Sequence, residues 1–140
     1  MSKTFKQILS WILRGIAAAI MLQTLFFKFT AAPESVYIFS QLGIEPWGRI
    51  GTGVMELIAS VLILLPKTKL TGAILGISIM FGAILSHIFI LGIEVKEDGG
   101  QLFIYALLVL FSCLFLLWIH RHELMRIFKH RFDQFHTTTS

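Results

Sequence analysis

The chain has 140 residues, of which 56% are hydrophobic and only 14% are charged, and its formal net charge is +4 at pH 7. Soluble domains carry about 25% charged residues, so this composition excludes an ordinary soluble domain and indicates a membrane protein. The lone cysteine, Cys113, excludes a disulfide framework, a CxxC redox pair and a cysteine-based zinc site.

Four segments are long and apolar enough to cross a lipid bilayer. A helical span needs about 20 mostly apolar residues to cover a hydrocarbon core of roughly 30 Å. Residues 8–29, 47–65, 70–93 and 101–119 meet that requirement. We therefore predict an all-α fold, a four-helix transmembrane bundle that makes up a single integral-membrane domain over residues 1–140. The first span is too long for the core of a signal peptide, so we expect it to be retained.

The segments between the spans differ in length and character. Residues 66–69 form a short connection, so we expect the second and third spans to make an antiparallel hairpin. Residues 30–46 are long enough to hold a short helix on the membrane surface. Residues 92–100 are acidic and end in Asp-Gly-Gly, a turn signal before the fourth span.

The basic tail, residues 120–140, is predicted to contain an amphipathic segment at the membrane surface. Such a segment lies along the lipid headgroups with its apolar face inward. The alternatives are a docking surface for a cytoplasmic partner and metal binding by the histidines of the tail. The apolar face comprises Leu124, Ile127, Phe128, Phe132 and Phe135, and the basic residues facing away are Arg126, Lys129, His130 and Arg131.

The basic residues also predict the orientation of the bundle. With four spans, both termini and the connection at 66–69 share one side of the membrane. Cytoplasmic segments carry an excess of Lys and Arg, so we predict that both termini are cytoplasmic. These lipid-facing residues account for the positive charge, so the expected partner is the lipid bilayer and not a nucleic acid. Of the twelve Lys and Arg residues, that side holds Lys3, Lys6, Arg14, Lys67, Lys69, Arg121, Arg126, Lys129 and Arg131.

Three ionisable residues lie inside the predicted spans. Lys28 closes the first span, Glu56 is midway along the second, and His87 is near the end of the third. A charge at the centre of a bilayer costs roughly 2.5–3.5 kcal/mol, so the protein must hold it there. If all three face the interior, they form one polar site in the outer half of the bundle. Taken singly, Lys28 would reach the membrane interface and His87 would be a hydrogen-bonded core residue.

Helical spacing adds four residues to this candidate site. Arg49, Thr52 and Glu56 are three and four residues apart, so they share one face of the second span. Gln101 and Tyr105 begin the fourth span at the same level. The four neighbours of Glu56 are therefore the predicted ligand-binding residues, although Arg49 would also serve as a purely structural partner of the acid.

Short motifs in the first three spans resemble those of the DoxX family of small bacterial membrane proteins. They are Leu-Phe-Phe-Lys-Phe at 25–29, Gly-Val-Met-Glu at 53–56 and Gly-Ala-Ile-Leu-Ser-His at 82–87. The resemblance covers roughly residues 13–119. It implies a four-helix bundle in the bacterial cytoplasmic (inner) membrane and a link to redox complexes, since the family takes its name from a subunit associated with thiosulfate:quinone oxidoreduction.

The leading hypothesis is a quinone-binding or redox-associated subunit. Glu56 would donate or accept a proton, His87 would hydrogen-bond a quinone carbonyl and Lys28 would stabilise charge. These three are the predicted catalytic residues, although the sequence leaves open whether the protein is an enzyme. No haem, flavin or iron–sulfur motif is visible, so electrons would come from a partner oxidoreductase. The alternatives are a non-enzymatic subunit or scaffold for such a partner, and a small transporter or proton pathway.

A metal site is not predicted. The spans supply two candidate ligands, Glu56 and His87. A catalytic zinc ion usually has three ligands from the protein, so this pair is one short of the common arrangement.

Overall fold

The computed structural model describes residues 1–138, which form helices joined by short loops, with no strand among them. A π-helical turn, His87–Leu91, continues the fourth helix directly. In chain order the helices are α1 (Lys3–Phe29), α2 (Pro33–Gln41), α3 (Trp47–Leu64), α4 (Lys69–Ser86), α5 (Gln101–Ile119) and α6 (Arg121–Thr137).

Four of these helices, α1, α3, α4 and α5, form a bundle that is long and apolar enough to span a membrane. Their mean hydropathies lie between 1.4 and 2.8 over the most apolar stretch of each, with α4 counted together with its π-helical turn. Helix α1 packs on α3 and α5, and α4 packs on the same two helices, so α1 and α4 lie at opposite corners. The predicted all-α, four-helix transmembrane fold is confirmed, and the chain is a multi-pass membrane protein.

Small residues fill much of the bundle core, which lets the helices approach closely. Large apolar side chains point outward instead: Phe111 is 61% exposed and Trp118 is 51% exposed. A helix that is apolar on both its inner and outer faces is typical of a bilayer, where acyl chains cover the outer face. The core residues are Ala17, Ala18, Met21, Ala59, Ile63, Ala73, Met80, Ala106, Val109, Cys113 and Leu116.

The contact between α3 and α4 depends on Gly72. A Cβ atom at this position would lie 2.5 Å from the backbone nitrogen of Ile63, so no side chain fits without moving the helices apart. The turn between the two helices is held by Thr68, whose hydroxyl donates a hydrogen bond to the carbonyl of Leu62 at 2.9 Å. The predicted antiparallel hairpin is therefore present, with close backbone contact near its turn.

Helix boundaries differ from the sequence prediction by more than one residue at two of the eight span ends, the start of the first span and the end of the third. Helix α1 begins at Lys3, well before the predicted start, because the Ser2 hydroxyl accepts a hydrogen bond from the backbone nitrogen of Phe5 at 3.2 Å. The third span ends at Leu91, because Gly92 turns the chain with a φ of 82°. Its last turn is π-helical, which the sequence does not predict.

Two helices lie outside the bundle. Helix α2 occupies the connection where a short surface helix is predicted. Helix α6 covers the predicted amphipathic segment and contains no buried residue, with Phe128, Phe132 and Phe135 at 59%, 65% and 73% exposed. Residues 139–140 of the predicted basic tail lie outside the described residues.

Candidate functional site

An ion pair between α1 and α3 forms the centre of the candidate site. Lys28 Nζ lies 2.7 Å from Glu56 Oε2 and donates a hydrogen bond to it. The two side chains are only 13% and 5% exposed, so the pair is held inside the bundle. The lysine therefore contacts an acid on a neighbouring helix. Two of the three predicted catalytic residues meet in space.

The sequence of α3 allows the end of α1 to come close enough for this contact. Gly53 and Glu56 are three residues apart, and both lie on the buried face of α3. A Cβ atom at Gly53 would lie 2.9 Å from the ring of Phe29 and 3.6 Å from Cβ of Lys28. The missing side chain at Gly53 therefore leaves room for the last turn of α1, and Glu56 meets Lys28 one helical turn further on.

The hydroxyl of Thr24 is the third polar group of this cluster. Its Oγ1 lies 3.1 Å from Glu56 Oε2 and 2.8 Å from the carbonyl oxygen of Met21, and Lys28 Nζ donates to it at 3.3 Å. A hydroxyl carries one proton, so Thr24 donates either to the carboxylate or to the helix carbonyl. It can therefore accompany Glu56 in either the ionised or the protonated form.

One carboxylate oxygen of Glu56 is left open. Within residues 1–138 the hydrogen bonds to this side chain go to Oε2, from Thr24 and Lys28, and none reaches Oε1. No fully buried side-chain oxygen or nitrogen in this part of the chain lacks a partner, so Oε1 is not fully enclosed. A molecule that reaches this oxygen meets a hydrogen-bond acceptor directly beside a lysine ammonium.

Arg49 lies beside the pair but does not bond to Glu56. Its Nε donates to both carboxylate oxygens of Glu45, at 2.9 and 3.1 Å, and its Nη1 donates to the backbone carbonyl of Lys28. The interpretation of Arg49 as a structural partner of Glu56 is therefore wrong. Its acidic partner is Glu45, one helical turn earlier in the chain. Arg49 instead ties α3 to the last turn of α1, next to the lysine.

His87 opens the π-helical turn and is only 5% exposed. Its Nδ1 lies 2.8 Å from the carbonyl oxygen of Gly92, which can only accept, so Nδ1 carries a proton, and Nε2 presents a lone pair when the ring is neutral. Within residues 1–138 no hydrogen bond reaches Nε2, and this atom too is not fully enclosed. Local π-helical turns are frequent at functional sites, and this one orients the imidazole.

His87 is not part of the cluster formed by Lys28 and Glu56. No hydrogen bond joins His87 to Lys28 or Glu56 within residues 1–138. The ring instead packs edge-on against Phe103 of α5, with the ring centroids 5.6 Å apart. The alternative of an imidazole hydrogen-bonded to a neighbouring helix is not what the structure shows, because its bond partner is the loop that directly follows the same helix.

The remaining predicted ligand-binding residues occupy different places. On α5, Gln101 Nε2 donates a hydrogen bond to the hydroxyl of Tyr105 at 2.7 Å, and Gln101 is exposed. These two side chains therefore bond to each other and not to Glu56. On α3, Thr52 is half-buried, and no hydrogen bond to its hydroxyl is present among the described residues.

The loop after His87 is held by Asp98. Its Oδ1 accepts hydrogen bonds from the backbone nitrogens of Val95 and Gly100, both at 2.9 Å, and its Oδ2 accepts one from Leu102 at 3.1 Å. Partial burial raises the pKa of Asp98, but the three hydrogen bonds and the nearby charge of His87 outweigh it, so the pKa lies below its usual value. The ionised carboxylate thus fixes the start of α5.

The arrangement suits hydrogen bonding and proton exchange better than metal binding. Within residues 1–138 no three His, Cys, Asp or Glu side chains are grouped to hold a metal ion. The Glu56 carboxylate already contacts a cation, the ammonium of Lys28, which would repel a metal ion. What the cluster offers is a charged donor, an open carboxylate oxygen and, on another helix, an imidazole lone pair.

Sequence reasoning missed the role of Arg14, which it treated only as a basic residue at the membrane surface. Arg14 is 3% exposed, and its Nε and Nη2 donate to the carbonyls of Ile63 and Leu64 at 2.6 and 2.5 Å. Its guanidinium carbon lies 3.8 Å from the ring centroid of Trp11. Arg14 thereby satisfies carbonyls that the end of α3 leaves unpaired. The sequence holds one signal for this role. Arg14 lies four residues after the small residue Ser10, so the two side chains share the inward face of α1.

Comparison with known proteins agrees with this architecture. The chain matches the model of the DoxX-like family over residues 12–117, a stretch that contains Lys28, Glu56 and His87. No curated protein matches the chain, and no solved structure matches it.

Proposed function

The chain belongs to the DoxX-like family, and from that premise we propose that it is a quinone-binding, redox-associated membrane subunit whose site is built on Lys28 and Glu56. The observation that carries the proposal is the ion pair inside the bundle, with one oxygen of Glu56 open to a ligand. Desolvating two charges costs several kcal/mol per ion, and apolar residues often stabilise a core equally well. A charged pair kept at this position therefore points to a role beyond stability.

The donor set fits a quinone. A quinone carbonyl oxygen accepts hydrogen bonds, and Lys28 Nζ supplies a charged donor while Glu56 accepts or donates according to its protonation. His87 presents Nε2 as an acceptor for a quinol hydroxyl. When bound, the quinone would supply a carrier of two electrons and two protons, with the electrons exchanged with a partner oxidoreductase.

The residues of the cluster assist proton movement at Glu56. Lys28 stabilises the carboxylate that remains after Glu56 has given up a proton. Thr24 can turn its hydroxyl to the Met21 carbonyl when the acid is protonated, and back to Oε2 when it is not. The cluster therefore accommodates both states of the acid without a change in packing.

The other predicted ligand-binding residues take supporting roles in this proposal. Arg49 positions the last turn of α1 through its bond to the Lys28 carbonyl. Thr52, four residues before Glu56, supplies a free hydroxyl on the same helix. Gln101 and Tyr105, which bond to each other at the start of α5, would contact the part of the ligand closest to the membrane surface.

We also propose that the protein resides in the bacterial inner membrane with both termini in the cytoplasm. The end of the bundle that carries the termini and the α3–α4 turn holds most of the basic residues. Helix α6, with its exposed phenylalanines and basic residues, then lies along the cytoplasmic headgroups. A reporter fused to the C-terminus should be active only in the cytoplasm; activity only on the outer side would contradict this orientation.

The proposed function is tested by equilibrium binding of short-chain ubiquinone and menaquinone analogues to the purified protein in lipid nanodiscs. Loss of a charged hydrogen-bond partner costs about 1.5–3 kcal/mol, so Glu56→Gln should bind the preferred quinone roughly tenfold to a hundredfold more weakly than the wild type. Glu94→Gln, at an exposed loop position, is the matched control and should bind normally. Absence of binding to the wild type, or equal binding to Glu56→Gln, would reject the proposal.

A further inference from the structure

A second polar feature lies at the other end of the bundle, where the first turns of α1 and α4 meet the junction of α5 and α6. A cavity of about 340 Å³ opens there. Four cationic side chains line it, and no carboxylate is among its lining residues. The lining residues that matter here are Lys3, Lys6, Arg14, Lys69, His120 and Trp11.

The positive charge of this cavity is only partly neutralised. Lys69 Nζ lies 3.1 Å from both carboxylate oxygens of Glu123, which is 44% exposed and does not line the cavity. Within residues 1–138 neither Lys3 nor Lys6 forms an ion pair. His120 lies close to Glu123 as well, with Nδ1 and Oε2 3.3 Å apart. The cavity is therefore a concave surface with an excess of cations.

The electrostatic field of the cavity acts on its histidine. Burial is the main cause that lowers the pKa of His120, and the charges of Lys69 and Lys6 lower it further, against the opposing effect of Glu123. Its Nε2 lies 3.0 Å from the hydroxyl oxygen of Ser10. The ammonium groups of Lys69 and Lys6 are therefore close enough to the imidazole of His120 to act on it electrostatically.

The deepest cation is held rigidly. Arg14 is fixed by the carbonyls of Ile63 and Leu64 and by the ring of Trp11. The lysines at the rim are less enclosed, since Lys3 is exposed and Lys6 is half-buried. A fixed cation at the base and further cations at the rim suit an anion with several oxygens, such as a phosphate group.

The surroundings of the cavity indicate where its anion comes from. Trp11, which lines the cavity, is 46% exposed, and Ile8 and Ile12 beside the cavity on α1 are 55% and 52% exposed, so the surface next to the opening is apolar. A tryptophan at this level is typical of the membrane interface. An occupant with a phosphate head and an acyl tail satisfies both the cations and the apolar wall, which a free phosphate ion does not.

We propose that this cavity binds the phosphodiester headgroup of an anionic phospholipid, with Lys3 and Lys6 closing over the phosphate. Basic pockets between helices at the cytoplasmic side are suited to anionic lipid headgroups. The site is remote in the fold from Lys28 and Glu56 and does not depend on quinone binding. Glu123 competes with the lipid for Lys69, because its carboxylate already occupies that ammonium.

The test is native mass spectrometry of the purified full chain in detergent, titrated with phosphatidylglycerol and, separately, with phosphatidylcholine. The wild type should retain phosphatidylglycerol in preference to phosphatidylcholine. Lys3→Gln/Lys6→Gln should weaken phosphatidylglycerol binding about thirtyfold. The double variant Lys67→Gln/Lys129→Gln removes the same charge from exposed positions outside the cavity and should change binding less than twofold. Glu123→Gln should tighten binding.

Three results would overturn the proposal. Equal loss of lipid from the two double variants would show that net charge, and not the cavity, attracts the lipid. Retention of both lipids in equal amounts would show that the headgroup charge is not recognised. Displacement by millimolar inorganic phosphate, with no preference for phosphatidylglycerol in its absence, would identify a soluble anion as the occupant. Because these measurements contain no quinone, their outcome is separate from the test of Glu56.

Discussion

Lys28 and Glu56 are 28 residues apart in the chain, yet their Nζ and Oε2 atoms lie 2.7 Å apart between α1 and α3. The contact depends on Gly53, which leaves space for the end of α1, and on Arg49, which bonds to the Lys28 carbonyl. A buried ion pair is weak as a stabilising device, because the desolvation of both charges offsets much of their attraction. The contribution of the pair to stability should therefore be measurable separately from its contribution to ligand binding.

Removing only the lysine should be more damaging than removing both charges. Lys28→Met leaves the Glu56 carboxylate buried without its counter-ion, and we expect a loss of about 3–5 kcal/mol in the free energy of unfolding. Lys28→Met/Glu56→Leu removes both charges and should regain most of that stability. Denaturant titration in detergent, followed by circular dichroism, measures both variants.

The double variant also separates folding from function. Lys28→Met/Glu56→Leu should be folded but should no longer bind quinone, since neither polar group of the pair is left. A double variant that remains as unstable as Lys28→Met would contradict the explanation based on an unpaired charge. A folded double variant that binds quinone like the wild type would remove the pair from the binding site.

Arg14→Leu should destabilise the bundle although it removes a charge from an apolar environment. The substitution leaves the carbonyls of Ile63 and Leu64 without these donors, and each unsatisfied buried group costs about 1–3 kcal/mol. We expect a lower melting temperature in detergent, measured by circular dichroism. Arg126→Leu, at an exposed position of α6, is the control and should melt within a few degrees of the wild type. Equal melting of both variants would argue against a capping role for Arg14.

Gly72→Ala should loosen the α3–α4 hairpin. The new methyl group would lie 2.5 Å from the Ile63 nitrogen, which is backbone and cannot turn away, so the helices must separate. Overpacking of this kind costs about 1–3 kcal/mol. Gly82→Ala on the same helix has nothing within 4 Å of its new methyl group and should be neutral or slightly stabilising. Stability measurements that rank the two variants in the reverse order would contradict the close contact at Gly72.

Asp98→Ala should lower stability by about 1 kcal/mol or more at neutral pH, because three backbone nitrogens lose their acceptor. The pKa of Asp98 is lower in the folded protein than its usual value of 3.8, so the folded state binds fewer protons than the unfolded state. The stabilisation is therefore complete above pH 3.8 and is lost as the pH falls through the folded-state pKa.

The pH dependence supplies the check on Asp98. The difference in melting temperature between the wild type and Asp98→Ala should be constant near neutral pH and should shrink below pH 3.8. Glu94→Ala, at an exposed position in the same loop, is the control for loss of a carboxylate there. A difference that grows toward low pH would reverse the assigned direction of the shift.

The fold could be predicted from the sequence because four long apolar segments leave few other arrangements in a bilayer. The meeting of Lys28 and Glu56 could be anticipated for the same reason: a charge inside a span must face a partner. The bond between Arg49 and Glu45 was missed, although a spacing of four residues on consecutive turns signals such a pair. Glu45 lies outside the predicted second span, whereas Glu56 lies inside it and needs a partner there, so the sequence favours the wrong acid for Arg49.

Other parts of the site depend on geometry that spacing does not specify. The π-helical turn rotates His87 relative to a regular α-helix, and its Nδ1 then bonds to Gly92. Gln101 and Tyr105 have the spacing of a shared helical face, and this same spacing lets them bond to each other. Whether that face turns toward Glu56 depends on the rotation of α5. Helix rotation follows from core packing among many side chains, which a pattern of apolar residues indicates only coarsely.

The most direct test of the central claim is to map where a quinone contacts the protein. A photoreactive quinone analogue, cross-linked in nanodiscs and located by peptide mass spectrometry, should label the end of α1 near Lys28 and the middle of α3 near Glu56. That labelling should be lost in Lys28→Met/Glu56→Leu. Labelling confined to the outward apolar groove of about 470 Å³ that is lined by Phe111, Phe115 and Trp118, and unchanged in the double variant, would contradict the account.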